Sequence, residues 1–276
     1  MRTVDWVIFS DLDGTLLDTA TYSYEAARRA LATIAQLRIP LVLVSSKTRA
    51  EMEPLRRRLR LPDPFIAENG GAVYIPKDYF PFSVEGAVLR GRYHVIEIGR
   101  PYADLRVALR ELAQLLPGRL QGFGDMTEEE VAQRTGLSSA EARLAKQREY
   151  DEPFLFTAGD VAVEELQALA ERRGLRCTRG GRFYHLLGNN DKGMATLRLI
   201  EAYRRLAKER GHMIKTIGLG DSLNDLPMLQ IVDRPVLVQR PDGASDPEMA
   251  LPNLTRADGI GPVGWNRAVL DLVATG

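Results

Sequence analysis

Two carboxylates stand at the end of an apolar run near the start of the chain. Asp11 and Asp13 follow Trp-Val-Ile-Phe at positions 6–9 and precede Gly14 and Thr15. Where a strand ends, the backbone turns. The side chain of the first aspartate can then lie around one centre together with the carbonyl and the side chain of the second aspartate. Neighbouring anions repel unless a cation or a shared proton offsets the repulsion. The pair predicts a magnesium site, although an N-cap or Asx turn would explain one of the aspartates.

A second acidic cluster follows another apolar run, at positions 214–219. It contains Asp221 and Asp225. Ligands of open α/β sheets collect outside the carboxyl ends of the strands, so we expect all four aspartates, Asp11 and Asp13 included, to converge there. Four carboxylates at one edge need a hard cation. A helix N-terminus rich in Asp and Asn would explain Asp225 alone.

Hydroxyl and ammonium groups stand at the starts of two predicted helices. Ser45 and Lys47 follow the apolar run at 41–44, and Lys192 begins a long helical pattern. A helix N-terminus favours anions because its free amides and its dipole point outward. Each of these is an ordinary helix start when taken alone. Together they predict a phosphate site beside the carboxylates.

Apolar segments alternate with helical patterns at both ends of the chain. Strands are predicted at about 4–10, 41–44, 65–67, 72–75, 214–219 and 235–238, and helices at about 27–37, 48–60 and 192–209. Such alternation favours a parallel sheet covered by helices on both faces. We therefore predict an α/β protein with a Rossmann-like, three-layer core formed by residues 1–84 and 189–276.

The middle of the chain, residues 85–188, has a different pattern. It begins with a strand-like segment at 93–98, and capping boxes at Thr127 and Ser138 indicate two short helices. Near its end, two strand patterns at 175–179 and 182–187 flank a Gly-Gly pair typical of a hairpin. We interpret this block as an α+β cap domain inserted into the core.

Composition excludes several classes of protein. Lys plus Arg and Asp plus Glu both number 37 in 276 residues, so no basic field favours nucleic acid or an anionic membrane. The single cysteine, Cys177, excludes an internal disulfide framework and a cysteine-based zinc site. No apolar run reaches the roughly 20 residues of a membrane span. We expect a cytoplasmic protein, monomeric or homodimeric, with a small-molecule substrate.

The four motifs together resemble those of the haloacid-dehalogenase-like phosphatases. They are segment 11–15, Ser45, Lys192 and segment 220–225, and their order and positions at strand ends agree with that superfamily. The inserted domain resembles the α/β cap of its sugar-phosphatase branch. Within that branch, segments 45–49, 68–71, 148–152 and 180–185 resemble the mannosyl-3-phosphoglycerate phosphatases.

The resemblance implies a mechanism that also suits the residues. Asp11 would attack phosphorus and form an aspartyl-phosphate, while Asp13 would protonate the leaving alkoxide and later deprotonate the attacking water. The expected magnesium ligands are Asp11, Asp13 through its carbonyl, Asp221 and Asp225. The groups expected to bind the phosphoryl oxygens are Ser45, Lys192 and Asn224.

The cap and the loops that face it are expected to select the substrate. Candidate donors to the carboxylate of a phosphoglycerate are Lys47, Arg182 and the backbone of Asn69, Gly70 and Gly71. Candidates for the sugar hydroxyls are Tyr150, Asp151 and His185. The alternative for Arg182 and His185 is an ordinary strand with alternate residues exposed, and the alternative for segment 148–152 is an ordinary helix end.

The activity predicted from this pattern is magnesium-dependent hydrolysis of a phosphomonoester. The resemblance implies mannosyl-3-phosphoglycerate, or its glucosyl analogue, as the substrate. A broader sugar-phosphate phosphatase and a phosphomannomutase-like phosphomutase are the alternatives, the mutase differing in that it must keep water away from its aspartyl-phosphate. A sugar-phosphate sensor without turnover is a third, disfavoured because every residue that turnover needs is present.

Overall fold

A computed structural model describes residues 4–116, 119–158, 163–180, 183–243 and 249–274. The strands are β1 (Val4–Ser10), β2 (Leu41–Val44), β3 (Phe65–Ala67), β4 (Ala72–Pro76), β5 (Val88–Arg90), β6 (Tyr93–Glu97), β7 (Arg119–Gly122), β8 (Asp151–Ala158), β9 (Arg176–Gly180), β10 (Phe183–Leu187), β11 (Met213–Gly220), β12 (Arg234–Gln239) and β13 (Thr255–Ile260). The helices are α1 (Arg28–Gln36), α2 (Arg49–Leu59), α3 (Tyr102–Leu115), α4 (Glu128–Thr135), α5 (Ser139–Ala145), α6 (Val163–Glu171), α7 (Lys192–Glu209), α8 (Leu226–Leu229) and α9 (Pro262–Ala274).

A nine-stranded sheet in the order β13-β12-β11-β1-β2-β3-β4-β6-β5 forms the centre of the molecule. The strands from β13 to β3 are parallel, and β4, β6 and β5 add an antiparallel extension. Side chains of β1 alternate between two apolar clusters, Ile8 with Trp265 of α9 on one face and Phe9 with Leu199 of α7 on the other. A strand buried on both faces reads as a continuous apolar run. The predicted α/β fold is confirmed.

A second sheet of four antiparallel strands has the order β7-β8-β10-β9. Helices α3 and α6 cover one of its faces, where Leu109, Phe154 and Leu166 are buried together. The capping boxes predicted at Thr127 and Ser138 begin α4 and α5, as expected. Strands β9 and β10 pair as an antiparallel hairpin, and the residues between them lie outside the described ranges.

The predicted boundary of the inserted domain at residue 85 does not coincide with the boundary between the two sheets. Strands β5 and β6 extend the large sheet, where Val95 and Ile96 of β6 enter its two opposite apolar clusters. An alternating strand pattern shows that a segment is half-buried, but it does not show which sheet the segment joins. The division of the chain into a core and a cap remains a prediction. Within the described ranges, every helix is too short or too polar to cross a bilayer.

Candidate active site

Asp11 is fixed at the carboxyl end of β1 by backbone contacts with the adjacent strand. Its N–H donates to the carbonyl of Leu219 in β11 at 2.9 Å. Its own carbonyl accepts the hydroxyl of Ser10 at 2.7 Å, and that hydroxyl accepts the indole N–H of Trp265 at 2.9 Å. The turn that follows requires Gly14, whose φ is +84°. The ends of β1 and β11 are therefore held side by side.

Three of the four predicted carboxylates converge at this edge. Asp11, Asp221 and Asp225 each offer an oxygen, and these oxygens lie within 4.8 Å of one another. The side chain of Asp13 is not part of this group, because its Oδ2 pairs with Lys47 Nζ at 2.9 Å. Its Oδ1 is buried and, among the described residues, has no hydrogen-bond partner.

Lys192 lies against this acidic cluster at the first residue of α7. Its side chain is only 1% exposed, and Nζ lies 2.6 Å from Asp11 Oδ1 and 2.7 Å from Asp225 Oδ1. Burial disfavours the ammonium, but the two carboxylates outweigh burial and raise the pKa of Lys192. The catalytic lysine predicted from the sequence thus contacts two of the predicted carboxylates directly.

Negative charge at the cluster exceeds what Lys192 can neutralise. Burial, together with repulsion from Asp225, raises the pKa of Asp11 well above its usual range. The same two causes raise the pKa of Asp221 to about 7, although Lys192 opposes them. Oxygen donors held close together with an excess of negative charge suit a hard divalent cation. Asp11, Asp221 and Asp225 are therefore residues that could hold a metal ion.

Without added metal, the protein should become more stable as the pH falls from about 8 to about 5. Folding raises the pKa of Asp221 from 3.8 to about 7, so the folded state keeps a proton that the unfolded chain has released in that interval. The free energy of unfolding therefore rises on acidification. Thermal unfolding in EDTA measures this trend, and saturating Mg²⁺ should weaken it because a bound cation keeps the carboxylates ionised. A melting temperature that falls steadily on acidification would contradict the prediction.

Ser45 and Lys47 lie at the end of β2, next to the acidic cluster. The hydroxyl of Ser45 accepts the backbone N–H of Lys47 at 3.1 Å, and Ser45 is 1% exposed. Helix α2 then begins with a capping box between Thr48 and Glu51. Burial disfavours the ammonium of Lys47, yet the nearby carboxylates of Asp13 and Glu51 together outweigh burial and raise the pKa of Lys47.

The loop 68–71 brings the predicted amide Asn69 to the same edge of the sheet. Asn69 Nδ2 donates to Asp151 Oδ2 at 2.9 Å, and Asn224 Nδ2 donates to Asn69 Oδ1 at 3.2 Å. Burial raises the pKa of the preceding residue, Glu68, to about 8. That carboxyl accepts the backbone N–H groups of Glu149 and Tyr150, which ties the loop to the start of β8.

Replacing Gly70 with alanine should destabilise the protein by more than about 2 kcal/mol. Gly70 has a φ of +85°, and a Cβ there would lie 2.0 Å from the carbonyl oxygen of Asp191. Gly91→Ala is the matched control, because its φ is +61° but no described atom lies within 4 Å of the added carbon. The control substitution should lower the free energy of unfolding by about 1 kcal/mol, because it adds only the strain of the backbone. Urea unfolding measures both, and equal losses would show that the close approach is unimportant.

A cavity of about 460 Å³ opens above the acidic cluster. The large sheet contributes Asp11, Asp13, Lys47, Asp221 and Asn224 to its lining, and the elements around the second sheet contribute Arg148, Phe183 and His185. The two sheets therefore face each other across a space that contains both carboxylates and cations. A cavity of this size suits a small-molecule ligand.

Several predicted substrate residues lie elsewhere. Tyr150 is not at the cavity: it is buried in an apolar cluster of the large sheet and its hydroxyl donates to Glu97. Gly70 and Gly71 shape the loop that carries Asn69, and a Cβ on Gly71 would lie 2.4 Å from Tyr150 Cβ. Arg182 lies outside the described residues.

Arg148 lines the cavity, and the sequence interpretation missed it. Nη1 donates to the carbonyl of Ser46 at 2.8 Å, and Nε donates to the carbonyl of Ala145 at 2.7 Å. Burial disfavours its charge, but Asp151 and Glu51 outweigh burial and raise the pKa of Arg148. Segment 148–152 was among those that resemble the family. The sequence of a helix end, however, does not show whether its arginine is buried or exposed.

Comparisons with known proteins agree with this geometry. A family model described as haloacid dehalogenase-like hydrolase matches residues 8–83. The glucosyl-3-phosphoglycerate/mannosyl-3-phosphoglycerate phosphatase of Methanococcoides burtonii is 48% identical over 97% of both chains. The chain belongs to this phosphatase family. The mannosyl-3-phosphoglycerate phosphatase of Pyrococcus furiosus is 39% identical over 84% of this chain and 90% of its own.

Membership of the family confirms the predicted resemblance and the predicted phosphatase class. A solved haloalkanoate-superfamily phosphatase from Bacteroides thetaiotaomicron has the same fold, with a TM-score of 0.66, 18% identity and coverage of 98% of this chain and 95% of its own. At that identity the likeness concerns the fold alone.

Proposed function

We propose that the chain is a magnesium-dependent phosphatase that hydrolyses glucosyl-3-phosphoglycerate and mannosyl-3-phosphoglycerate through an aspartyl-phosphate on Asp11. The observation that carries the proposal is the contact of Lys192 with both Asp11 and Asp225 beneath a cavity lined on its other side by Arg148. The names of the relatives at 48% and 39% identity support the choice of substrate.

Asp11 is the nucleophile because it both lines the cavity and contacts Lys192, whereas Asp13 lines the cavity but pairs with Lys47. Lys192 orients this carboxylate and offsets negative charge as phosphorus is attacked. Ser45 and Asn224 would bind the phosphoryl oxygens. Asp11, Asp221 and Asp225 would hold the Mg²⁺ ion, together with the carbonyl of Asp13, and a bound Mg²⁺ supplies positive charge beside the transferring group.

Asp13 is the proposed acid and base. It must carry a proton when the alkoxide leaves and must be ionised when water attacks the aspartyl-phosphate. Its Oδ2 lies 2.9 Å from the ammonium of Lys47, and both side chains line the cavity.

The proposed substrate carries a carboxylate beside its phosphate, as well as sugar hydroxyls. Lys47, Arg148 and Arg240 are cations that line the cavity, and an arginine fork suits a carboxylate. His185 lines the same cavity from β10 and can bind a hydroxyl. The chemistry of the cavity thus complements both parts of a glycosyl phosphoglycerate.

A phosphate-release assay across a panel of phosphosugars and glycosyl phosphoglycerates, with Mg²⁺ and with EDTA, tests the proposal. We expect steady release of phosphate, a sharp preference for the glycosyl phosphoglycerates, and loss of activity in EDTA. An isomerised phosphosugar without free phosphate would establish a mutase instead. A flat substrate profile would establish a general sugar phosphatase, and binding without turnover would refute catalysis.

A further inference from the structure

A chain of hydrogen bonds runs from the cavity wall to the predicted phosphate site through side chains that do not line the cavity. His185 Nδ1 lies 2.8 Å from Asp151 Oδ2, which accepts Asn69 Nδ2 at 2.9 Å. Asn69 Oδ1 in turn accepts Asn224 Nδ2 at 3.2 Å. We refer to these four residues, His185, Asp151, Asn69 and Asn224, as the relay.

The chemistry of Asp151 fixes the direction of every bond in the relay. A carboxylate only accepts, so Asn69 must turn its amide nitrogen to Asp151 and its oxygen to Asn224. For the same reason the proton on His185 lies on Nδ1, and Nε2 remains for a ligand in the cavity. Asn224 is fixed at its other end as well, because Ser222 Oγ donates to its Oδ1 at 2.7 Å.

The middle of the relay is buried. Asp151 is 0% exposed and Asn69 is 2% exposed, whereas His185 and Asn224 both line the cavity. Arg148 Nη1 lies 3.8 Å from Asp151 and offsets part of its charge. A buried and fully bonded network of this kind has one arrangement of donors and acceptors, so a change at one end alters the bonds at the other.

We propose that Asp151 and Asn69 are positioning residues that couple the leaving group, bound at His185, to the orientation of Asn224 beside the phosphate. The inference rests on the proposed function, because it takes the glycosyl glycerate as the group that contacts His185. Binding energy from this remote contact then contributes to turnover, since it stabilises the arrangement needed in the transition state. A purely structural network would instead affect folding and treat all phosphate esters alike.

Asp151→Asn tests the proposal with an isosteric change. The new carbonyl at the Oδ2 position can still accept from Asn69, but the NH₂ then takes the Oδ1 position, 2.9 Å from His185 Nδ1. A donor there competes with the proton on Nδ1 and weakens the hold on the orientation and tautomer of His185. We expect kcat for glucosyl-3-phosphoglycerate, relative to kcat for p-nitrophenyl phosphate, to fall by about tenfold or more. Asp63→Asn is the matched control, since Asp63 is a buried carboxylate that accepts Tyr79 and the amide of Leu41 at the opposite edge of the sheet. It should leave the ratio unchanged.

A double-mutant cycle between His185→Ala and Asn69→Asp tests transmission between residues that share no hydrogen bond. Asparagine and aspartate both tolerate the φ of +53° at position 69. The loss of His185 should raise KM in either background, but it should lower kcat only when Asn69 is present. If the two substitutions lower kcat independently, so that their factors multiply in the double variant, the relay is refuted. An unchanged kcat ratio in Asp151→Asn refutes it as well.

The assay on the unmodified protein separates the two proposals. If that protein hydrolyses p-nitrophenyl phosphate but no glycosyl phosphoglycerate, the proposed substrate is wrong, and the same cycle is then run on the best substrate of the panel. Thermal unfolding checks that each variant is folded. Asn69→Ser replaces Asn69→Asp in the cycle if the aspartate variant does not fold.

Discussion

Asp11→Asn should lower phosphate release by a factor on the order of 10⁴ or more, because an amide oxygen is a far weaker nucleophile than a carboxylate. Asp11 is the residue of the acidic cluster that lies at the end of β1, contacts Lys192 and opens onto the cavity. Neither Asp221 nor Asp225 can replace it without losing its own place in the cluster. Initial rates of phosphate release with saturating substrate and Mg²⁺ measure the effect.

The fold should survive this change. Asparagine has the same shape and removes one of three crowded anions, and Lys192 keeps its contact with Asp225 at 2.7 Å. We expect a melting temperature in EDTA no lower than that of the unmodified protein, since lost repulsion offsets the lost ion pair. Asp258→Asn, at an exposed carboxylate that pairs with Arg267 and does not line the cavity, should keep full activity. Turnover retained by Asp11→Asn would refute the assignment of the nucleophile.

The sequence was sufficient to predict where the acidic cluster forms. Asp11 and Asp221 each follow an apolar run, and the carboxyl ends of parallel strands meet at one edge of a sheet. The contacts of Asp13 were not predictable in the same way. Whether its side chain joins the cluster or pairs with Lys47 depends on how the loops after β1 and β2 turn, and no local pattern specifies that.

The cavity wall was predicted less well than the strand ends for a related reason. Tyr150 and Asp151 are neighbours, yet one is buried against Gly71 and the other contacts His185. Glu68 decides this arrangement by binding the backbone at Tyr150, a contact between residues 82 positions apart. Position 148 is similar, because only the folded chain shows that its guanidinium is buried against the carbonyl of Ser46.

Lys192→Met should lower both the stability and the activity of the protein. It leaves the carboxylates of Asp11 and Asp225 buried without their cation, and breaking a buried pair from one side costs about 3–5 kcal/mol. Loss of a positive charge beside the transferring phosphoryl group should also lower kcat by about 10²–10³-fold. Lys208→Met on the same helix, where the side chain is exposed, is the matched control and should change both quantities little.

The pH dependence of this loss distinguishes an electrostatic cause from a packing defect. Folding raises the pKa of Lys192 above its usual value of 10.5, so its stabilising contribution is fully present below pH 10.5. That contribution therefore does not itself vary between about pH 5 and about pH 8. The carboxylates do vary, because the pKa values of Asp11 and Asp221 are already raised and would rise further without the ammonium. Protonation neutralises them on acidification, so the deficit in unfolding free energy should shrink from about pH 8 to about pH 5. Urea unfolding at both pH values measures it, and a deficit of equal size at both would assign the loss to packing of the lysine stem.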